Sequence, residues 1–107
     1  MNQATFIGNL VAPAVAKSAN GNSFITFTIA VNTKYKDNNA TLYVECIKNG
    51  DNNKLIPYLT KGQKVAVMGR ISCHAYINKQ NLASAVMDLS VYELELVGHK
   101  IDTQQPL

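Results

Sequence analysis

The stretch SFITFTIAVN, Ser23 to Asn32, alternates apolar with polar or small side chains without a break. In an extended chain Ile25, Phe27, Ile29 and Val31 fall on one side, and Thr26, Thr28, Ala30 and Asn32 on the other. A period of two is the side-chain period of a strand, so this segment belongs to a sheet with one face buried. The same alternation returns along the chain, and the breaks between runs are clusters of Asn and Gly. Such a pattern specifies a small all-β domain.

Five runs are expected. The first is about Asn2 to Val11, ended by APA, and the second is Ser23 to about Lys34, following the turn SANGN and leading into a polar and basic loop, KYKDNN. In the third, TLYVECIK, Leu42, Val44 and Cys46 share one face while Thr41, Tyr43 and Glu45 share the other. The fourth is Lys64 to Ile77 and the fifth about Leu82 to Val97. In the fifth, apolar residues shift from odd positions (Leu89, Val91) to even ones (Tyr92, Leu94, Leu96), which predicts a bulge near Ser90. Between the third and fourth runs, GDNNKLIPYLTKGQ is the one candidate helix. Asn52 or Asn53 would cap it, Leu55, Ile56 and Leu59 would form its apolar stripe, and Gly62 would end it. Pro57 is tolerated in a first turn, where backbone N–H groups have no intrahelical partner. Three strands, a short helix and two strands is the element order of the OB-fold, a five-stranded, partly open Greek-key barrel.

A chain of 107 residues has room for one domain and one core. Charged residues are only 16% and the net charge is +3, a mildly basic balance that tolerates a polyanionic partner without demanding one. Cys46 and Cys73 are too few and too far apart for a disulfide framework or a zinc module, so both are expected to be reduced, buried thiols. The N-terminal MNQATFIGNL lacks a basic start and a sustained apolar stretch, and no run approaches the roughly 20 apolar residues of a membrane span. A cytoplasmic protein without membrane contact is expected.

GRISCHAY, Gly69 to Tyr76, sets a thiol beside an imidazole, the residue types of a nucleophile and its base or of a metal site. Strand alternation separates them. Val65, Val67, Ile71, Cys73, Ala75 and Ile77 share the core side, and Lys64, Met68, Arg70, Ser72, His74 and Tyr76 the outer side. Cys73 therefore reads as core packing. His99 adds no converging ligand, and no acid pair, P-loop or GxSxG element is present, so neither catalysis, cofactor nor metal is expected. The outer side offers a different chemistry. Arg70, His74 and Tyr76 run along one ribbon, Tyr43 faces out from the third run, and Tyr35 is bracketed by Lys34 and Lys36. Aromatics that stack on bases, interleaved with cations that follow phosphates, are what a single-strand binder uses. Strict parity places Tyr35 on the core side unless its strand ends or twists first.

The chain resembles the bacterial single-stranded DNA-binding proteins from about Asn2 to Val97. The resemblance is carried by FIGNL, ANGNSFITFTIAVN and, most specifically, YLTKGQKVAVMGRI. It implies an OB-fold homotetramer, less often a dimer, that binds single-stranded DNA without sequence preference in replication, recombination and repair. Tyr35, Tyr43 and Tyr76 stand at the family's stacking positions, each Tyr where many members have Trp. Lys34, Lys36, Lys48, Arg70 and Lys79 are the expected phosphate contacts, with His74 on the same face. Two positions depart: Asn49 stands where a fourth aromatic is usual, and Glu45 where a basic residue is. The expected division is a domain over 1–98 and a short flexible tail over 99–107, GHKIDTQQPL from Gly98 on carrying only Asp102 where relatives end in an acidic tip that recruits replication and repair proteins. A short relative, primosomal replication protein N, supplies the alternative reading: an adaptor bridging a helicase and single-stranded DNA in replication restart. A sugar- or peptide-binding OB module is the third.

Overall fold

The structure is a computed structural model that describes residues 1–98, with the side chain of Tyr35 outside that description. The expected tail over 99–107, His99 and Asp102 included, lies outside the described residues. Among those described the chain forms six strands: β1 (Ala4–Leu10), β2 (Val15–Ala19), β3 (Asn22–Tyr35), β4 (Asn38–Asn49), β5 (Lys64–Ile77) and β6 (Ala83–Leu96). They lie in the order β1-β5-β6-β4-β3-β2, and β1 also pairs with β3 through Asn9↔Ala30 and Leu10↔Ile29. That second pairing closes five of the strands into the ring of an OB-fold. β4 and β6 are the parallel pair, and the other pairings are antiparallel.

The alternating residues become the core as expected. Ile25, Phe27, Ile29 and Val31 of β3 meet Val44 and Cys46 of β4, Val65 and Val67 of β5, and Leu89 and Val91 of β6, with Leu10 and Leu59 completing the cluster. Two glycines permit the closure. A Cβ on Gly8 would stand 2.5 Å from the Ala30 carbonyl oxygen, where β1 crosses to β3, and one on Gly69 only 2.0 Å from the Ser90 oxygen. At Gly69 the β5–β6 register shifts: Met68 faces Glu93 and Gly69 faces Val91, so Tyr92 is the extra residue. The bulge expected near Ser90 is therefore two residues further on. Its parity change holds for Leu94 and Leu96, which pack against the core, while Tyr92 points out and its hydroxyl donates to Gln3 Oε1 at 2.9 Å.

Four expectations are corrected. Five strands become six because Val15–Ala19 pairs with Asn22–Thr26 across Asn20 and Gly21, both at positive φ, the geometry of a two-residue hairpin. The loop KYKDNN is instead the end of a long hairpin in which Tyr35 pairs with Asn38 and only Lys36 and Asp37 turn. The helix shrinks to one 3₁₀ turn, Ile56–Tyr58, with Pro57 in its first positions and no side-chain cap. Asn52 donates its amide to the carbonyls of Lys48 and Gly50, and Gly50–Asn53 folds on itself where a cap would sit. Leu59, 1% exposed, fixes this segment to the base of the barrel, its carbonyl accepting the N–H of Ala14.

The last correction concerns Cys73. Ladder pairing between β4 and β6 runs only from Val44↔Met87 to Ile47↔Ser90, whereas β5 and β6 continue together to Ile77↔Ala83. Beyond the fork, β5 is exposed on both faces from Ser72 to Ile77. Cys73 is exposed, Ala75 is exposed, and Ile77 is 65% exposed. The apolar side of the arm keeps the parity of a core strand without the core.

Candidate nucleic-acid interface

Two arms leave the same end of the barrel, β3–β4 and β5–β6, and diverge where the β4–β6 pairing stops. Their outward rows form one face. Lys34 stands on it opposite Asn39, Tyr43 opposite Ala30, Arg70 opposite Ser90, His74 opposite Val86, and Tyr76 opposite Ser84. Tyr43 is 58% exposed and Tyr76 46%. Ala30 is small, so the ring of Tyr43 has no bulky cross-strand neighbour to cover it. Asn32 and Thr41 bond side chain to side chain at 3.1 Å on the same surface, adding amide and hydroxyl groups.

The face is not uniformly basic. Glu45 and Asp88 are Cα partners in its middle. Nδ1–H of His74 donates to Asp88 Oδ2 at 2.7 Å, and the His74 and Tyr76 rings lie 6.4 Å apart between centroids, tilted by 47°. Asp88 thus holds the imidazole beside the tyrosine. Cys73, opposite Met87, belongs to the other face of the arm, so the thiol and imidazole do not meet. Among the described residues, no three or more His, Cys, Asp or Glu side chains cluster to hold a metal. Nor is any helix there long and apolar enough to cross a membrane. Burial raises the Cys46 thiol from 9.0 to about 12, and it packs as an apolar group.

The remaining expected contacts divide by position. Lys36 turns the β3–β4 arm at positive φ, and Lys79 lies in the tip of the β5–β6 arm. That tip is built by Asn78, whose Oδ1 accepts the N–H groups of Gln80 and Leu82 while its amide donates to Ser84 Oγ. Lys48 stands apart. It shares parity with Val44 and Cys46, pairs with Ile25 and is half-buried, so it is not on the face of Tyr43. Tyr35 ends β3, and its side chain lies outside the described residues.

The model of the single-strand binding protein family matches residues 1–97. The chain belongs to that family. A single-stranded DNA-binding protein of Clostridium perfringens is 29% identical over 100 residues, covering 91% of this chain and 66% of its own length. One from Chlamydia pneumoniae is 32% identical over 92 residues, 84% of this chain and 58% of its own. The chain thus spans less than two thirds of the length of these curated relatives. Its fold is similar to that of a Plasmodium falciparum SSB solved in complex with ssDNA (TM-score 0.72, 20% identity, 91% of this chain and 95% of that one). It is also similar to a small single-stranded DNA-binding protein from Streptomyces coelicolor (TM-score 0.75, 18% identity, 94% and 95%). In this member of the family, sequence reasoning missed two groups near the face. Asp88 is hidden because its pairing with His74 depends on the β5–β6 register, and Lys17 because an Asn-Gly turn does not by itself announce the exposed strand before it.

Proposed function

We propose that the protein binds single-stranded DNA, bases stacking on Tyr43, Tyr76 and Tyr35 while Lys34, Lys36, Arg70 and Lys79 neutralise phosphates. The observation that carries this reading is the exposed outer face, where Tyr43, His74, Tyr76 and Arg70 stand together between two arms. Stacking accepts any base and is worth about 1–3 kcal/mol each, so the face needs no base-specific geometry to hold a strand. The reading involves no catalysis and no cofactor. It includes self-association, a tetramer before a dimer, a cytoplasmic location, and service in replication, recombination and repair. Neither the fold nor the relatives favour the restart-adaptor alternative. Titrating tyrosine fluorescence with oligo-dT, with mass determined in parallel, tests the reading. Quenching is expected, with log affinity falling against log salt at a slope of about −0.7 per phosphate contacted. Equal affinity for duplex, or no quenching at low salt, refutes it.

A further inference from the structure

A groove of about 490 Å³ lies on the same outer surface as the tyrosines but away from the arm tips. Its volume falls within the roughly 300–1,000 Å³ typical of small-molecule sites. Val11, Val15 and Ile47 are among its apolar lining, Lys17 provides a cation, and Glu45 and Asp88 are its carboxylates. Val11 and Val15 are 39% and 51% exposed, so they offer flat apolar surface to a planar partner.

The groove brings a cation and two carboxylates to one surface. The contact with His74 Nδ1 occupies Asp88 Oδ2. Glu45 and Lys17 line the same space and make no ion pair with one another. A phosphate cannot rest against Glu45, because an exposed carboxylate repels it. A base edge can, provided it offers N–H. Carboxylates accept hydrogen bonds from the exocyclic amino group of cytosine, whereas thymine turns a carbonyl oxygen to the same point and keeps only its ring N3–H as a donor. A ligand that joins an anionic group, a planar body and an amino edge fits Lys17, the apolar lining and Glu45 at once.

We propose that this groove is a nucleotide subsite for the bound single strand, in which Lys17 meets a phosphate and Glu45 accepts the amino group of cytosine over the carbonyl of thymine. This rests on the single-strand reading above and adds to it a base bias at one position. Elsewhere on the face, stacking remains indifferent to sequence. Glu45, the departure from a basic residue that counts against phosphate binding, becomes the acceptor that selects the base.

The test compares oligo-dC and oligo-dT of equal length at neutral pH and fixed salt, two pyrimidines that differ at the group Glu45 meets. The wild-type protein is expected to favour oligo-dC by about tenfold. Glu45→Gln, exposed and nearly isosteric, is expected to bring the ratio to about one, because its amide can donate to thymine as well as accept from cytosine. Lys17→Ala is expected to weaken both oligonucleotides. Equal wild-type affinities, a ratio that survives Glu45→Gln, or no effect of Lys17→Ala overturns the subsite while leaving single-strand binding in place. If neither oligonucleotide binds at low salt, the single-strand reading falls, and the subsite with it.

Discussion

Replacing Gly69 by Ala puts the whole geometry of the β5–β6 arm to a quantitative test. The added methyl would stand 2.0 Å from the Ser90 oxygen, 2.7 Å from its carbonyl carbon and 2.9 Å from Val91 Cα. All three atoms are backbone, so no side chain can swing aside, and ordinary contact begins only near 3.4 Å. β6 must move by more than an ångström at the point where Tyr92 bulges from the ladder and Val91 enters the core. Overpacking alone typically costs about 1–3 kcal/mol. Parting the strands also sacrifices ladder hydrogen bonds, worth roughly 0.5–1.5 kcal/mol each. The reduced freedom of the unfolded chain returns only about 0.4–1 kcal/mol. The net loss is expected to be about 3 kcal/mol, a large part of the 5–15 kcal/mol available to a typical domain. Urea unfolding should show it at unchanged m-value, and the thermal midpoint should fall by about 12–24 °C at 4–8 °C per kcal/mol. A loss under about 1 kcal/mol would mean that β5 and β6 do not approach as described, and the bulge would have to be placed elsewhere.

Five further outcomes follow from the same geometry. Cys73 should react with a thiol reagent in the folded protein while Cys46 reacts only on unfolding. Because burial raises the Cys46 thiol from 9.0 to about 12, the unfolded chain loses its proton first, so stability should fall as pH rises from about 9 toward 12, and Cys46→Ala should flatten that decline. Tyr43→Ala should weaken binding of oligo-dT by roughly 5- to 150-fold with little change in thermal midpoint, and Tyr43→Phe should restore it, since the ring stacks and the hydroxyl does not. Asp88→Asn removes a negative charge from the middle of the face and should tighten single-strand binding a few-fold at low salt, a gain that high salt erases. Arg70→Ala should reduce the salt slope by about 0.7, while Lys48→Ala, on the core-side row, should leave it unchanged.

The barrel was legible in the sequence because its signal is steric and local. A strand with one buried face must alternate, and Ile25–Val31, Val44–Cys46, Val65–Val67 and Leu89–Val91 all do so where they are buried. Even the bulge announced itself, since one extra residue reverses parity. The misplaced parts are those where parity carries no information about cover. β2 is exposed along its whole length, so no apolar alternation marked it, and only the Asn20-Gly21 pair could have. Cys73, Ala75 and Ile77 have a core strand's parity, yet what buries a face is a second element, and β4 ends its pairing with β6 at Met87.

The candidate face divides along the same line. Which side of a strand a residue occupies follows from its number, so Tyr43, Arg70, His74 and Tyr76 could be placed together from parity alone. Which residues of different strands come face to face depends on register, and register is set by turns and bulges that span the chain. The neighbours Glu45 and Asp88, on strands more than 40 positions apart, are such a case, and so is the joining of Lys17 to their groove through a hairpin whose second strand was recognised and whose first was not. The charge balance of the face lives in those register-dependent pairs. A reading by residue type counts Glu45 as a loss for phosphate binding. With the groove in place, the same carboxylate shares a lining with apolar residues and a cation, and its role turns from the strength of binding to the choice of base.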